Sequence, residues 1–331
     1  MAKVLALDAA NYPRHPLHDE ARLWVEKNCY VDVWLELVHA LGCDPMAMLP
    51  FVVAIDFEGD QWTFFKPPHE EMRDLYAIDV QELNCWRPLL EHAEEHLGAG
   101  RLISAEADAF WLPDTSGTDY RTQHVKSTIV LNEVDAANKR LGYFHNAGYF
   151  VLEGEDFDRT FRIDVEPDPT FLPLFAELVR TDRLVRSASS TLVAQSRQLL
   201  SRHVQRMPAD NPVERFARRF ERDLPDLQAR GLGHYHAWAF ATLRQLGSAS
   251  ELAALYLRWL AGSGVWADDA GRYAPAVEAY ERISAGTKTF ILKAARAVNS
   301  GRALDARPIM DEWSAAWEQA RDALAGTFDG N

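Results

Sequence analysis

Cysteine is scarce in this chain of 331 residues: there are three, Cys29, Cys43 and Cys85, an odd number with no CxxC pair and no zinc-ligand spacing. That argues against a disulfide framework and against a metal site. Long apolar runs are missing as well, since no segment approaches the ~20 residues of a membrane span and the opening MAKVLALDAANYPRHP is too short in its apolar part for a signal-peptide core. The expectation is a cytoplasmic protein whose thiols stay reduced and can act as nucleophiles. Glycine-rich phosphate loops, low-complexity tracts and fixed-period repeats are also lacking in the sequence. So is any excess of positive charge: the formal net charge is −14, whereas general nucleic-acid binding needs a basic footprint to displace counterions from phosphates. Neither nucleic acid nor membrane is an expected partner.

What the chain does contain is a globular composition, 47% hydrophobic, 25% charged and 11% aromatic. Its length is about twice the usual single-domain size, which predicts two modules with separate cores. Charge divides in the same way: residues 1–165 hold 14 Lys and Arg against 29 Asp and Glu, while residues 166–331 hold 21 against 20. An acidic first half suits a cationic or amine-bearing ligand.

The run NCYVDVWLELVHALG places Val33, Trp34, Leu37, Val38 and Leu41 at helical spacing, with Asn28 as N-cap and Gly42 just past the last periodic residue. KPPHEEMRDLYAI and WRPLLEHAEEHLGAG also read as helices, and QWTFFKPP as a short aromatic strand. RLISAEADAFWLP reads as a strand leading into the polar loop DTSGTDYRTQ, after which HVKSTIVLNEV, RLGYFHN and AGYFVLEG form three more. This is an α+β order. From residue 166 the texture turns helical, beginning with TFLPLFAELVR and closing with MDEWSAAWEQARDALAG. The expected domains are therefore 1–165, α+β and catalytic, and 166–331, helical.

Cys29 follows the Asn28 cap directly, where unpaired backbone N–H groups and the positive end of the helix dipole stabilise a thiolate. A cysteine nucleophile needs a base and a group to orient that base. His124 opens a strand after a polar loop, and the antiparallel return of 141–146 brings either Asn146 or His145 close enough to hold its imidazole. The candidate catalytic residues are Cys29, His124 and Asn146.

NCYVDVWLELVHALG resembles the nucleophile helix of the papain-like peptidases that process double-glycine bacteriocin leaders, and more so the N-terminal domain of the butirosin-biosynthesis acyltransferases. DAFWLPDTSGTDYRTQH, HVKSTIVL and LGYFHN are similar to the segments that follow in that group, and RISAGTKTFILKAARAV to its helical domain. The chain also resembles an uncharacterised bacterial family often encoded beside amino acid:carrier-protein ligases or nonribosomal peptide genes. It departs from the peptidases in having Tyr30 after the cysteine, Asn146 in place of an Asp, and no oxyanion-hole glutamine before Cys29. The resemblance implies a papain-like core, a nucleophile helix packed on an antiparallel sheet, followed by an all-helical domain. It implies transfer of an aminoacyl or related acyl group from a carrier-protein phosphopantetheine thioester to a small amine, within secondary metabolism, through an acyl-enzyme on Cys29. A thioesterase or amidohydrolase using the same triad, or a non-catalytic carrier- or peptide-binding module, are the alternatives. No cofactor is expected on the chain itself, the phosphopantetheine being carried by the partner.

An acidic carrier protein calls for a basic docking surface on a partner of net −14. Residues 180–222 contain ten arginines against four acidic residues, and Arg215, Arg218, Arg219 and Arg222 are the docking candidates. Trp62 and Trp111 are expected to line the acyl or pantetheine channel, and Asp108 and Tyr120 to contact the substrate.

Overall fold

The structure, a computed structural model, describes residues 1–163, 165, 174–265 and 269–328. Two compact units share the chain in alternating segments: Met1–Asp19, Asn28–Pro45 and Pro68–Arg186 make the first, and Glu20–Lys27, Met46–Pro67 and Ser187–Asn331 the second. The division expected at residue 166 falls on residues outside the described ones. Two short pieces ahead of it, Glu20–Lys27 and Met46–Pro67, belong to the second unit.

The first unit runs β1 (Ala2–Lys3), α1 (Cys29–Ala40), α2 (His69–Tyr76), β2 (Asp79–Glu82), α3 (Leu89–Gly98), β3 (Leu102–Asp108), β4 (Lys126–Asp135), β5 (Arg140–His145), β6 (Gly148–Glu153), α4 (Glu155–Phe161) and β7 (Ala176–Arg180). Its sheet has the order β2-β7-β3-β4-β5-β6, with β1 added on β4, and the pairings are all antiparallel. Helix α1 lies on β4, β5 and β6, and α3 on β1, β3 and β4.

Helix α1 starts where its cap dictates, because the Asn28 side chain accepts the N–H groups of Tyr30 and Val31. Val31, Val33, Trp34, Leu35, Leu37 and Val38 are all wholly buried, so the helix is covered nearly all round. Two acids, Asp32 and Glu36, are equally buried one turn apart. Between them sits His18, its Nε2 3.0 Å from Asp32 Oδ1 and its Nδ1 against Glu36 Oε1. A carboxylate thus faces each ring nitrogen, an arrangement in which both nitrogens donate only when the imidazole is protonated. Glu36 also accepts the Tyr12 hydroxyl at 2.8 Å and the His15 N–H at 3.0 Å. The chain ahead of the helix is thereby fastened to it.

The helix expected over TFLPLFAELVR is not formed: residues 176–180 are strand β7, inserted between β2 and β3, and residues 170–173 lie outside the described ones. Ala176, Glu177 and Val179 are buried and only Arg180 is exposed, so the run lacks the apolar–polar alternation that marks a strand in sequence. The aromatic strand expected at QWTFFKPP reduces to one isolated bridge between Phe57 and Trp62.

The second unit contains α5 (Ser189–Val204), α6 (Pro212–Arg230), α7 (Leu232–Ala239), α8 (Gln245–Gly262), α9 (Asp269–Ser300) and α10 (Arg307–Phe328), with a π-helical turn at Phe240–Arg244. Its core gathers Trp62, Phe216, Phe220, Phe290 and Trp313, linked ring to ring at 5.3–6.1 Å. The architecture is α+β with a helical C-terminal part. Among the described residues no helix is long and apolar enough to cross a membrane.

Candidate functional site

Cys29 is the first residue of α1 and is half-buried. The Asn28 side chain occupies the N–H groups of Tyr30 and Val31, and that of Cys29 makes no hydrogen bond among the described residues. A backbone donor beside a thiol at a helix N-terminus is what an oxyanion formed by thiol attack needs. Burial pushes the other two thiols, Cys43 and Cys85, up from the ordinary value, which disfavours their thiolates.

Behind Cys29, the Tyr30 hydroxyl is 3.1 Å from Glu177 Oε2 on β7 and 2.7 Å from His69 Nε2 on α2. Ser104 on β3 donates to the same Glu177 oxygen at 3.1 Å. Burial, then the Glu177 charge, keeps the Tyr30 phenol protonated well above its ordinary range.

His124 precedes β4 and is held by Asp108 at the end of β3, Nδ1 lying 2.6 Å from Oδ2. Register explains the meeting: Asp108 pairs with Lys126, so a residue just before β4 falls beside the end of β3. The other Asp108 oxygen accepts the Phe110 N–H at 3.1 Å, and the Phe110 ring stacks on the imidazole with centroids 4.4 Å apart. The carboxylate is thus fixed from one side and orients the ring from the other. His124 Nε2 makes no hydrogen bond among the described residues and belongs to a side chain 69% exposed.

The residue that holds His124 is therefore Asp108, expected from sequence to contact substrate. Asn146 occupies the β5–β6 turn with φ 42°, and its side chain makes no hydrogen bond among the described residues. His145 is committed elsewhere: Nδ1 is 2.5 Å from Asp114 Oδ2, and Ser127 Oγ donates to Nε2 at 2.6 Å. Tyr143 donates to the second Asp114 oxygen at 2.5 Å, and burial followed by the Asp114 charge pushes the Tyr143 phenol far up. This Ser127–His145–Asp114 chain has the bond order of a serine-hydrolase triad, yet Ser127 is 6% and His145 1% exposed. It anchors the loop carrying His124 to β5. Strand alternation puts Ser127 and His145 on the sheet face opposite Ser104. Sequence reading offered His145 only as an alternative to Asn146; the alternation of Ser127, Ile129 and Leu131 was the available signal that it faces inward.

Cys29 and His124 share no hydrogen bond among the described residues. Along β3, Ser104 under Tyr30 and Asp108 under His124 are four residues apart, about 13 Å at strand rise.

Of the expected substrate contacts, Tyr120 donates to Asp156 at 2.9 Å, and Trp111 lies under the Arg121 guanidinium at 4.4 Å. Both strap the loop onto α4. Trp62, 1% exposed, packs against Phe57 and Phe216 in the second unit. Among the docking arginines, Arg215 binds Asp56 and the Phe57 carbonyl, and Arg219 binds Asp223 and the Gly59 carbonyl. Arg218 pairs with Glu214 one turn back, and Arg222 is exposed and has no partner among the described residues. No group of three or more His, Cys, Asp or Glu suited to a metal ion occurs among the described residues.

Fold and site together define an α+β protein with a cysteine at a helix start and an oriented histidine at a strand start. A family model described as the DUF1839 N-terminal domain matches residues 13–181, and one described as the DUF1839 C-terminal domain matches residues 189–326. The chain belongs to the DUF1839 family. No curated protein matches it.

Proposed function

We propose that the first unit is a papain-like catalytic domain and that the protein is a cysteine-dependent acyltransferase. It moves an aminoacyl or related acyl group from a carrier-protein phosphopantetheine thioester to a small amine. The observation that carries this reading is the Asp108–His124 pair, a base with one nitrogen oriented at 2.6 Å and the other open to a reactant. Cys29, whose N–H makes no hydrogen bond among the described residues, supplies the complementary nucleophile, and the reading requires the substrate to bring the thiol and the imidazole together.

In the first half-reaction His124 Nε2 takes the Cys29 proton, the sulfur attacks the thioester carbonyl, and the Cys29 N–H receives the negative charge on oxygen. The carrier's C–S bond breaks, its thiol leaves with the proton from His124, and the acyl group stays on Cys29. In the second, His124 removes a proton from the amine as it attacks, and the Cys29 thiol is released. Asp108 holds the ring throughout and replaces Asn146 as the orienting group of the proposed triad. The open setting of His124, 69% exposed, favours one second reading, hydrolysis, in which water takes the place of the amine.

Intact-mass measurement after mixing with loaded carrier proteins tests both. An acyl adduct in the wild type that is absent in Cys29→Ala supports the acyl-enzyme; absence of both adduct and thioester loss with every loaded carrier overturns it. Adduct decay in buffer alone, as fast as with amines present, selects hydrolysis.

A further inference from the structure

We propose that the α3 face of the first unit binds an oxyanion of the phosphate type, held by Arg87, His92, His96 and Arg101. This site is independent of Cys29 and of the acyl-transfer reading. His92 is 3% exposed, yet neither of its ring nitrogens has a hydrogen-bond partner among the described residues. The same holds for Nδ1 of His96 and for Nε of Arg87 and Arg101, all buried atoms. Buried polar atoms are satisfied almost without exception, so a cluster of five that are not marks the place of a missing partner.

The chemistry of that partner follows from the donors. A guanidinium Nε–H only donates, and an imidazole donates from either nitrogen according to its protonation. His92 and His96 stand one turn apart on α3 with rings parallel within 2° and centroids 6.0 Å apart. Trp86, edge-on to His92 at 6.1 Å, carries the Arg87 guanidinium over its ring at 5.1 Å, and the Arg101 N–H binds the His96 carbonyl at 2.9 Å. Two guanidiniums and two imidazoles close together offer donors to a small group with several lone pairs, and a tetrahedral oxyanion supplies these while meeting one nitrogen of each ring. A histidine pair at this spacing also suits a divalent cation, but the Arg101 guanidinium beside His96 opposes one.

The charged groups that bear on the rings are Arg87, Arg101, Glu91 and Glu95. Glu95 takes the Arg87 Nη2 and is 60% exposed. Burial first, then Arg87, lowers the His92 value, and burial first, then Arg101, lowers that of His96, both favouring the neutral imidazole. A bound anion opposes both effects. Binding then takes up protons, and affinity rises as pH falls.

Isothermal titration of the full chain with inorganic phosphate at pH 6 and pH 8, in buffers of different ionisation enthalpy, tests the site. Expected are saturable binding at pH 6, net proton uptake, and affinity about tenfold lower at pH 8. Arg101→Gln, which leaves the Arg87–Glu95 pair intact, is expected to weaken binding about tenfold while the near-ultraviolet circular dichroism stays unchanged. Histidine nitrogen resonances of the wild type followed with phosphate supply a readout that needs no variant. Any of three outcomes overturns the proposal: no saturation at about 10 mM phosphate, equal affinity in wild type and folded Arg101→Gln, or saturation by zinc ions with none by phosphate.

Discussion

Two histidines within one short stretch of sheet end, His124 and His145, have opposite fates, and the carboxylate each meets decides which. Asp108 leaves its histidine facing water, whereas Asp114 and Ser127 close theirs from both ends. Asp108→Asn keeps an acceptor for the Phe110 N–H but loses the charge opposing His124, so acylation of Cys29 is expected to slow about 10²- to 10⁴-fold with the fold intact; quenched-flow mass measurement reads the rate. Ser127→Ala leaves His145 Nε2 unpaired in the interior and should cost about 1–3 kcal/mol in urea unfolding. It should leave Cys29 acylation unchanged, whereas an acyl adduct that forms on Ser127 in Cys29→Ala would make the buried serine the nucleophile instead. The helix start at Cys29 and the strand start just after His124 were legible because caps and strand ends are local signals. The Asp108 pairing was not, because it depends on which strand lies beside β4 and in what register.

At the scale of elements, α1 shows the same contrast. Its cap, its apolar stripe and the glycine after it are written in consecutive residues, and the helix follows them. Strands β3 to β6 were legible for the same reason, with turns and alternation close together. Strands β2 and β7 were not, since neither is a hairpin partner of its sequence neighbour and the buried Glu177 of β7 breaks the apolar–polar alternation that would mark it. Nothing local announced that Asp32 and Glu36 face inward either, because their partner His18 lies outside the helix. Burial alone would raise the Glu36 carboxyl, but hydrogen bonds and charge from His18, then bonds from Tyr12 and the His15 N–H, hold it below the ordinary 4.5. A depressed carboxyl stabilises the fold above its unfolded value, and that contribution disappears as pH falls through the lowered one. Glu36→Gln is therefore expected to be less stable at pH 7 and to lose less stability on acidification, a difference that urea midpoints between pH 7 and pH 3 measure.

For the whole molecule, the charge asymmetry of the sequence is partly spent internally. Arg215 and Arg219 each hold a loop carbonyl and a carboxylate of their own unit, which leaves Arg218 and Arg222 as the exposed members of the four docking candidates. If α6 receives an acidic carrier, reversing Arg218 and Arg222 to Glu should weaken carrier binding about tenfold at low salt, with the difference fading at high salt. Iodoacetamide labelling of Cys29 should not change. Unaltered affinity across the salt series would remove α6 from the docking surface.

The alternation of segments between the two units bears on biogenesis. Trp24, five residues ahead of the thiol, donates its indole N–H to Ser284, and Trp62 rests on Phe216. A nascent chain that has emerged only as far as residue 186 offers neither partner. The stretches on both sides of α1 must then wait, apolar and uncovered, until the late helices leave the ribosome, so a polypeptide truncated there exposes sticky side chains rather than forming a smaller complete fold.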